Sequence, residues 1–130
     1  MATKPKYLCF GMKHIKNETL AHDLYLEPDG NLAMAFDSKE ISQLVRQRLQ
    51  TYYGEWVLDP KVGVEWIQRV FVRPPNEMVA ESLIKKCILE TKGVTGMQAF
   101  DMTIRQPRRE LSVVNADIVT VFDEVEEVRI

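Results

Sequence analysis

The chain has 130 residues, 45% of them hydrophobic and 28% charged, the proportions of an ordinary soluble globular domain long enough for one core. A formal net charge of −2 supplies no global positive field that would draw it to nucleic acid or to an anionic membrane. No apolar run approaches the roughly 18 residues of a membrane span, and the basic start Met1–Lys6 leads into an apolar patch broken by Gly11, Lys13 and His14, which is not the pattern of a secretory signal.

Residues 1–22 are mixed and irregular, and read as an N-terminal arm or a first strand near Tyr7 to Phe10. A hairpin follows. Leu24 and Leu26 alternate before the turn Glu27-Pro28-Asp29-Gly30-Asn31, and Leu32, Met34 and Phe36 alternate after it. Asp37-Ser38-Lys39-Glu40 supplies a polar helix start, with Glu40 three residues after Asp37 as a capping box requires. Ile41, Leu44, Val45, Leu49 and Tyr52 then recur at helical spacing, opposite Ser42, Arg46, Gln47 and Gln50. Gly54 fits the position just past the helix.

Residues 55–75 hold no single period, so short strands and short helical pieces are both compatible with them. Pro74-Pro75 ends that stretch and Asn76 caps a second helix, whose apolar face is Val79, Ala80, Leu83, Ile84, Cys87 and Ile88. Glu81 precedes Lys85 by one turn, the favourable order for a surface pair, and Gly93 stops the helix. Phe100, Met102 and Ile104 alternate with polar neighbours, Gln106–Glu110 is a polar turn, and Leu111–Phe122 is a long β-branched strand. Residues 123–130 are acidic but keep strand alternation, and form a C-terminal strand or arm; a chain cut at Phe122 is expected to remain folded. The expected class is α+β, with two amphipathic helices packed on one face of a small, mainly antiparallel sheet.

The candidate chemistry is sparse. Cys9 and Cys87 lie in apolar surroundings far apart in sequence, and read as buried free thiols of a reducing compartment rather than a disulfide. There is no CxxC, and His14 and His22 read as surface or packing residues, so no metal site is assigned. No phosphate loop or nucleophile elbow is present, and no cofactor is implied.

Glu55, Asp59 and Glu65 lie in a glycine-flanked corner. Two acids beside a cleft would suit glycosidic hydrolysis, with Trp56 and Trp66 as a sugar platform. The plainer assignment makes Gly54, Glu55, Trp56, Leu58, Pro60 and Gly63 a rigid structural corner with no catalytic residue. In it Gly54 releases the helix, Trp56 and Leu58 anchor the exit in the core, and Pro60 with Gly63 sets the next direction. Glu55 then makes a structural hydrogen bond or an ion pair with an arginine such as Arg48 or Arg105. Arg105, Arg108 and Arg109 form a charged tip facing solvent or a protein partner; the aromatic interleaving used for single-stranded nucleic acid is missing.

Four groups of residues carry a resemblance: Asp23–Leu26 with Asp29-Gly30-Asn31-Leu32-Ala33, the helix end Arg48-Leu49-Gln50-Thr51-Tyr52-Tyr53-Gly54-Glu55-Trp56, Leu58-Asp59-Pro60 with Val62-Gly63-Val64, and the later stretch Ile84–Ile88 with Lys92-Gly93-Val94 and a strand containing Phe100. Across residues 23–122 the chain resembles the small baseplate wedge proteins, or sheath initiators, of contractile phage tails, nearest to the Mu-like branch. It is more distantly similar to the phage W protein, the T-even small wedge protein and a type VI secretion baseplate homologue. Val62 stands where the family often has an aromatic, and Gly93–Met97 replaces a Glu-Pro-Arg signature of some branches.

The resemblance implies a structural virion protein of a bacteriophage tail baseplate, assembled in the host bacterial cytoplasm. It would link the wedge to the tube or hub and nucleate the sheath by strand exchange. Its implied partners are other baseplate wedge subunits, the tail sheath protein and, further, tube or hub proteins, with no nucleic acid and no membrane. Arg105, Arg108, Arg109, Val125, Val128 and Ile130 are the candidate partner-binding residues. The competing functions are a lysozyme-like glycoside hydrolase using Glu55 and Asp59, and an adaptor protein with the same fold.

Overall fold

The structure, a computed structural model, describes residues 8–14, 22–72, 74, 76–105 and 110–129. Its strands are β1 (Leu8–Phe10), β2 (Met12–His14), β3 (His22–Leu24), β4 (Met34–Phe36), β5 (Val94–Arg105), β6 (Glu110–Thr120) and β7 (Val125–Arg129). Its α-helices are α1 (Asp37–Gln50) and α2 (Glu77–Leu89), and a single π turn lies at Trp66–Val70. The fold is α+β. β5, β6 and β7 form an antiparallel meander in that order, while β1 pairs with β4 and β2 with β3 as two small ribbons. The strands therefore divide among three sheets rather than sharing one.

The core gathers one face of each large element. α1 supplies Ile41, Val45 and Leu49, α2 supplies Ala80, Ile84, Cys87 and Ile88, and the meander supplies Ile104, Ala116, Ile118 and Val128. Burying this much apolar surface is the main favourable term in folding. α2 follows its sequence pattern closely. Asn76 Oδ1 accepts the Val79 N–H at 3.2 Å, satisfying one of the orphan donors of the first turn. Lys85 pairs with Glu81 one turn earlier.

α1 starts differently from the expected capping box. The N-cap falls on Phe36, which makes no side-chain capping bond, and Asp37 has φ of 50°. Ser38 is drawn inward instead. Its hydroxyl is 2.8 Å from that of Thr120 in β6, and both side chains are buried. This bond ties the first turn of α1 to the meander, which a local cap would not do. α1 also ends at Gln50 with Thr51 as C-cap, four residues short of Gly54.

The Glu27–Asn31 turn forms as expected. The Glu27 N–H donates to the Asn31 carbonyl at 2.8 Å, the Asp29 carboxylate accepts the Asn31 N–H at 2.9 Å, and Gly30 takes φ of 86°, a region L side chains disfavour. Beyond the bridged pair Leu26 and Leu32 the expected hairpin opens, and its arms pair with the two N-terminal strands. β1 covers Leu8–Phe10 of the expected first strand, while Tyr7 lies outside the described residues. On the inner side of this ribbon are Gly11, Ala33 and Ala35, while Phe10, Leu24, Leu26 and Phe36 stand exposed.

The cause is close approach. Gln43 of α1 accepts the Met12 N–H at 3.1 Å and donates to the Phe10 carbonyl at 2.7 Å. A ribbon whose backbone is bonded directly to a helix side chain leaves room for only small residues between them.

Residues 125–129 form a strand that contributes one residue, Val128, to the core. Val121–Asp123 form a three-residue loop, with the Asp123 N–H on the Thr120 carbonyl at 3.0 Å, Asp123 at φ of 57°, and the Thr120 N–H on the Glu124 carbonyl at 3.0 Å. β7 then returns along β6 and places Val128, 3% exposed, in the core. Cutting at Phe122 would remove that contact, so such a chain is expected to lose stability. Both cysteines are free thiols, Cys87 buried and Cys9 half-buried. No described helix is long and apolar enough to cross a membrane.

Two outcomes follow from this packing. Ser38→Ala should cost about 1–3 kcal/mol in urea unfolding, because the buried Thr120 hydroxyl loses its short partner, whereas Ser42→Ala, at a bond near the surface, should cost a few tenths. The second concerns Glu40, whose Oε2 is buried without a hydrogen-bond partner. Burial raises its carboxyl pKa above the ordinary 4.5. A carboxyl whose folded pKa is raised penalises the fold when ionised; the penalty is absent below the unfolded value and grows as pH rises through it. Glu40→Gln should therefore raise the urea midpoint at neutral pH and leave it unchanged well below pH 4.5. A pH-independent difference would contradict this origin.

Candidate functional site

The corner after α1 is a closed excursion with a narrow neck. Tyr52 and Val64 form a bridge, the Tyr53 N–H donates to the Val64 carbonyl at 3.0 Å, and the Val64 N–H donates to the Thr51 carbonyl at 3.1 Å. Inside the loop the Gly54 N–H reaches the Pro60 carbonyl at 2.9 Å. Gly63 makes the neck this tight. It has φ of 106°, and any Cβ there would fall on the Thr51 carbonyl. Because the chain leaves and returns through one neck, the residues between project outward.

That geometry reverses part of the expected corner. Trp56 is 49% exposed and Leu58 82%, so neither anchors the exit in the core. Val57 stands out further at 92%. The anchors are the residues after the neck, Val64 and Trp66, both buried. The Trp66 indole N–H donates to the Leu49 carbonyl at 2.8 Å, filling one of the acceptors left free at the end of α1. Its ring stacks on Phe71 at 5.8 Å between centroids. Sequence alone had no signal to separate the two tryptophans, since both sit among aliphatic neighbours.

The three acids are each committed locally. Glu55 Oε2 accepts the Tyr52 N–H at 2.9 Å, so the expected structural bond is present, with the backbone as partner instead of an arginine. Asp59 Oδ1 accepts the Lys61 N–H at 3.1 Å and opens the turn at Pro60. Glu65 lies 3.9 Å from Arg69 one turn later. Among the described residues no group of His, Cys, Asp and Glu could hold a metal ion.

Arg48 is the cation these acids do not reach. Its Nη1 donates to the Glu90 carbonyl at 3.2 Å, while its Nε is buried without a partner.

The second candidate surface is the free edge of the meander. Arg105 closes β5 opposite Glu110, while Arg108, Arg109 and Ile130 lie outside the described residues. β7 is an edge strand, and an open cleft beside it is lined by Gly11, Met34, Lys39 and Arg46 together with Glu126 and Val128. The bond between Thr120 and Glu124 sets the phase of the ladder. By the alternation of antiparallel pairs, the N–H groups of Val125 and Glu127 point away from β6. Val128 faces the core, whereas Val125 is 49% exposed.

The family model described as contractile injection system sheath initiator matches residues 13–123. The match begins ten residues before the stretch that carries the sequence resemblance, so β3, β4 and all of β2 but Met12 fall within it, while β1 lies outside. No curated protein sequence is significantly similar to the chain.

The two tryptophans give a clean contrast. Trp66→Ala should cost about 3–5 kcal/mol, as for a large buried aromatic. Trp56→Ala should stay within about 0.5 kcal/mol of the parent. Denaturant midpoints measure both, and comparable losses would mean that the tip of the corner is not projecting.

Proposed function

The chain belongs to the contractile injection system sheath initiator family, and from that premise we propose that it seeds the sheath by adding a sheath-protein strand to the free edge of β7. Membership makes it a structural tail or baseplate component in contact with other baseplate or sheath parts. The finer reading is ours. The chain sits in the wedge of a bacteriophage baseplate, bridges wedge subunits to the tube or hub, is assembled in the host cytoplasm, and acts without catalysis.

The observation that carries this reading is the open edge of β7. An edge strand with unpaired backbone groups recruits an extended segment through main-chain hydrogen bonds. β7 is anchored on its other side by β6 and by Val128 in the core, so its edge is rigid before a partner arrives. A preordered template reduces the entropy lost on pairing. Glu124 and Glu127 are exposed beside this edge and Glu126 is half-buried. Like charges on the strand oppose pairing between two copies of β7 and favour a partner without such a run of acids.

The test removes a donor without removing the strand. Glu127→Pro deletes an outward N–H at an edge position, where proline is tolerated. The variant should keep a melting temperature within a few degrees of Glu127→Ala and fail to nucleate sheath in an assembly reaction where Glu127→Ala succeeds. Normal sheath growth on a folded Glu127→Pro protein would refute strand addition at this edge.

A further inference from the structure

We infer that the Arg48 flank of the corner is a second docking site, which takes an aspartate or glutamate side chain presented by an apolar segment of a partner protein. It shares no lining residue with the cleft beside β7. It therefore goes beyond sheath seeding and needs a partner of its own.

The inference starts from unspent positive charge. Arg48 is half-buried, and its one hydrogen bond to a described residue goes to a carbonyl. Arg48 takes no part in the ion pairs Glu65–Arg69, Glu81–Lys85 and Lys86–Glu90. The acid best placed by sequence, Glu55, is turned to the Tyr52 N–H. A guanidinium with a buried, unpartnered Nε and no counter-ion is costly, and buried polar groups of this kind are ordinarily satisfied.

The surroundings suit a carboxylate. Arg48 and Lys61 line a small cavity of about 80 Å³, room for a carboxylate head. Glu65 and Glu90 also border it, but Arg69 and Lys86 already face them. Lys61 has no acidic partner among the described residues. The planar guanidinium fork matches a carboxylate through paired hydrogen bonds, which fixes orientation as well as charge.

Apolar surface flanks the cavity on the corner side. Tyr53, 43% exposed, lines it, and a second groove along α1 joins Arg48 to Trp56, Leu44 and Val62. Exposed tyrosine and tryptophan beside an arginine are the residue types that dominate protein interfaces. Val57 and Leu58, next in the chain after Trp56, are also exposed. The occupant read from this arrangement is a short segment with one acid between apolar residues.

The test uses the full chain and a random displayed-peptide library. Peptides selected on the parent protein should be enriched in Asp or Glu next to apolar or aromatic residues. A selected peptide should bind at least about tenfold more weakly to Lys61→Glu, to Trp56→Ala, or after its acid is changed to the amide. Lys61 and Trp56 are exposed, so these variants should fold normally, and thermal melting checks that. Selected peptides lacking an acid, or affinities unmoved by Lys61→Glu, would overturn the assignment. So would a parent chain that self-associates in sedimentation through a contact abolished by Lys61→Glu, since the occupant would then be a second copy. None of these readings involves sheath, so a failed seeding assay would leave them unaffected.

Discussion

The hydrogen bond from the Trp66 indole to the Leu49 carbonyl holds the two halves of this protein in register. It joins the last turn of α1 to the chain returning from the corner, inside the core. Without it the end of α1 would bury an acceptor with no donor, and the π turn that carries Trp66, Val70 and Phe71 would lose its fixed point. That turn runs from Trp66 to the Phe71 N–H, which closes on the Trp66 carbonyl at 2.7 Å. It packs against α2. One side chain thus ties the end of α1 to the chain leaving the neck and to the turn that packs on the second helix.

The consequences reach both candidate surfaces. Because the neck at Tyr52 and Val64 is closed, Trp56 to Leu58 cannot fold back and are held out toward solvent. Because both helices are seated on one face of the meander, β7 is held from one side by α1 and from another by β6, with its outer edge open. The protein therefore presents rigid features, an apolar corner and a strand edge, on a core that does not need to rearrange. This suits an assembly component, for which preorganisation lowers the cost of each successive contact.

Much of the fold was legible in the sequence, for identifiable reasons. The second helix was readable because Asn76, the Glu81–Lys85 spacing and six apolar positions all agree on one register. The meander was readable because alternation and β-branched residues coincide in Phe100–Ile104 and Leu111–Phe122. The start of α1 misled because Asp37 and Glu40 have capping-box spacing, whereas Asp37 lies inside the helix at φ of 50° and the first turn is held by Ser38 bonding to Thr120 on a distant strand. The ribbon was harder to read because the alternation of Leu32, Met34 and Phe36 drew attention to the large residues, whereas Ala33 and Ala35 between them are the buried ones. Those two lie on the inner side of a ribbon whose backbone is bonded to Gln43 of α1. In the corner, the glycines and Asp59-Pro60 signalled a turn correctly, but nothing local distinguishes the Trp56 that projects from the Trp66 that anchors. Arg48 looked like a partner for Glu55, and became notable only once Glu55 was seen bonded to the backbone.

The central claim is that β7 is a preformed strand whose outer edge is completed by a sheath strand. Hydrogen–deuterium exchange at single-residue resolution tests it most directly. In the isolated chain the amides of Glu126 and Val128 should be protected by pairing with β6, while those of Val125 and Glu127 exchange rapidly. On addition of sheath protein, Val125 and Glu127 should become protected while Glu126 and Val128 change little. Rapid exchange at Val125 and Glu127 in the assembled sheath, or unprotected Glu126 and Val128 in the free chain, would contradict the account.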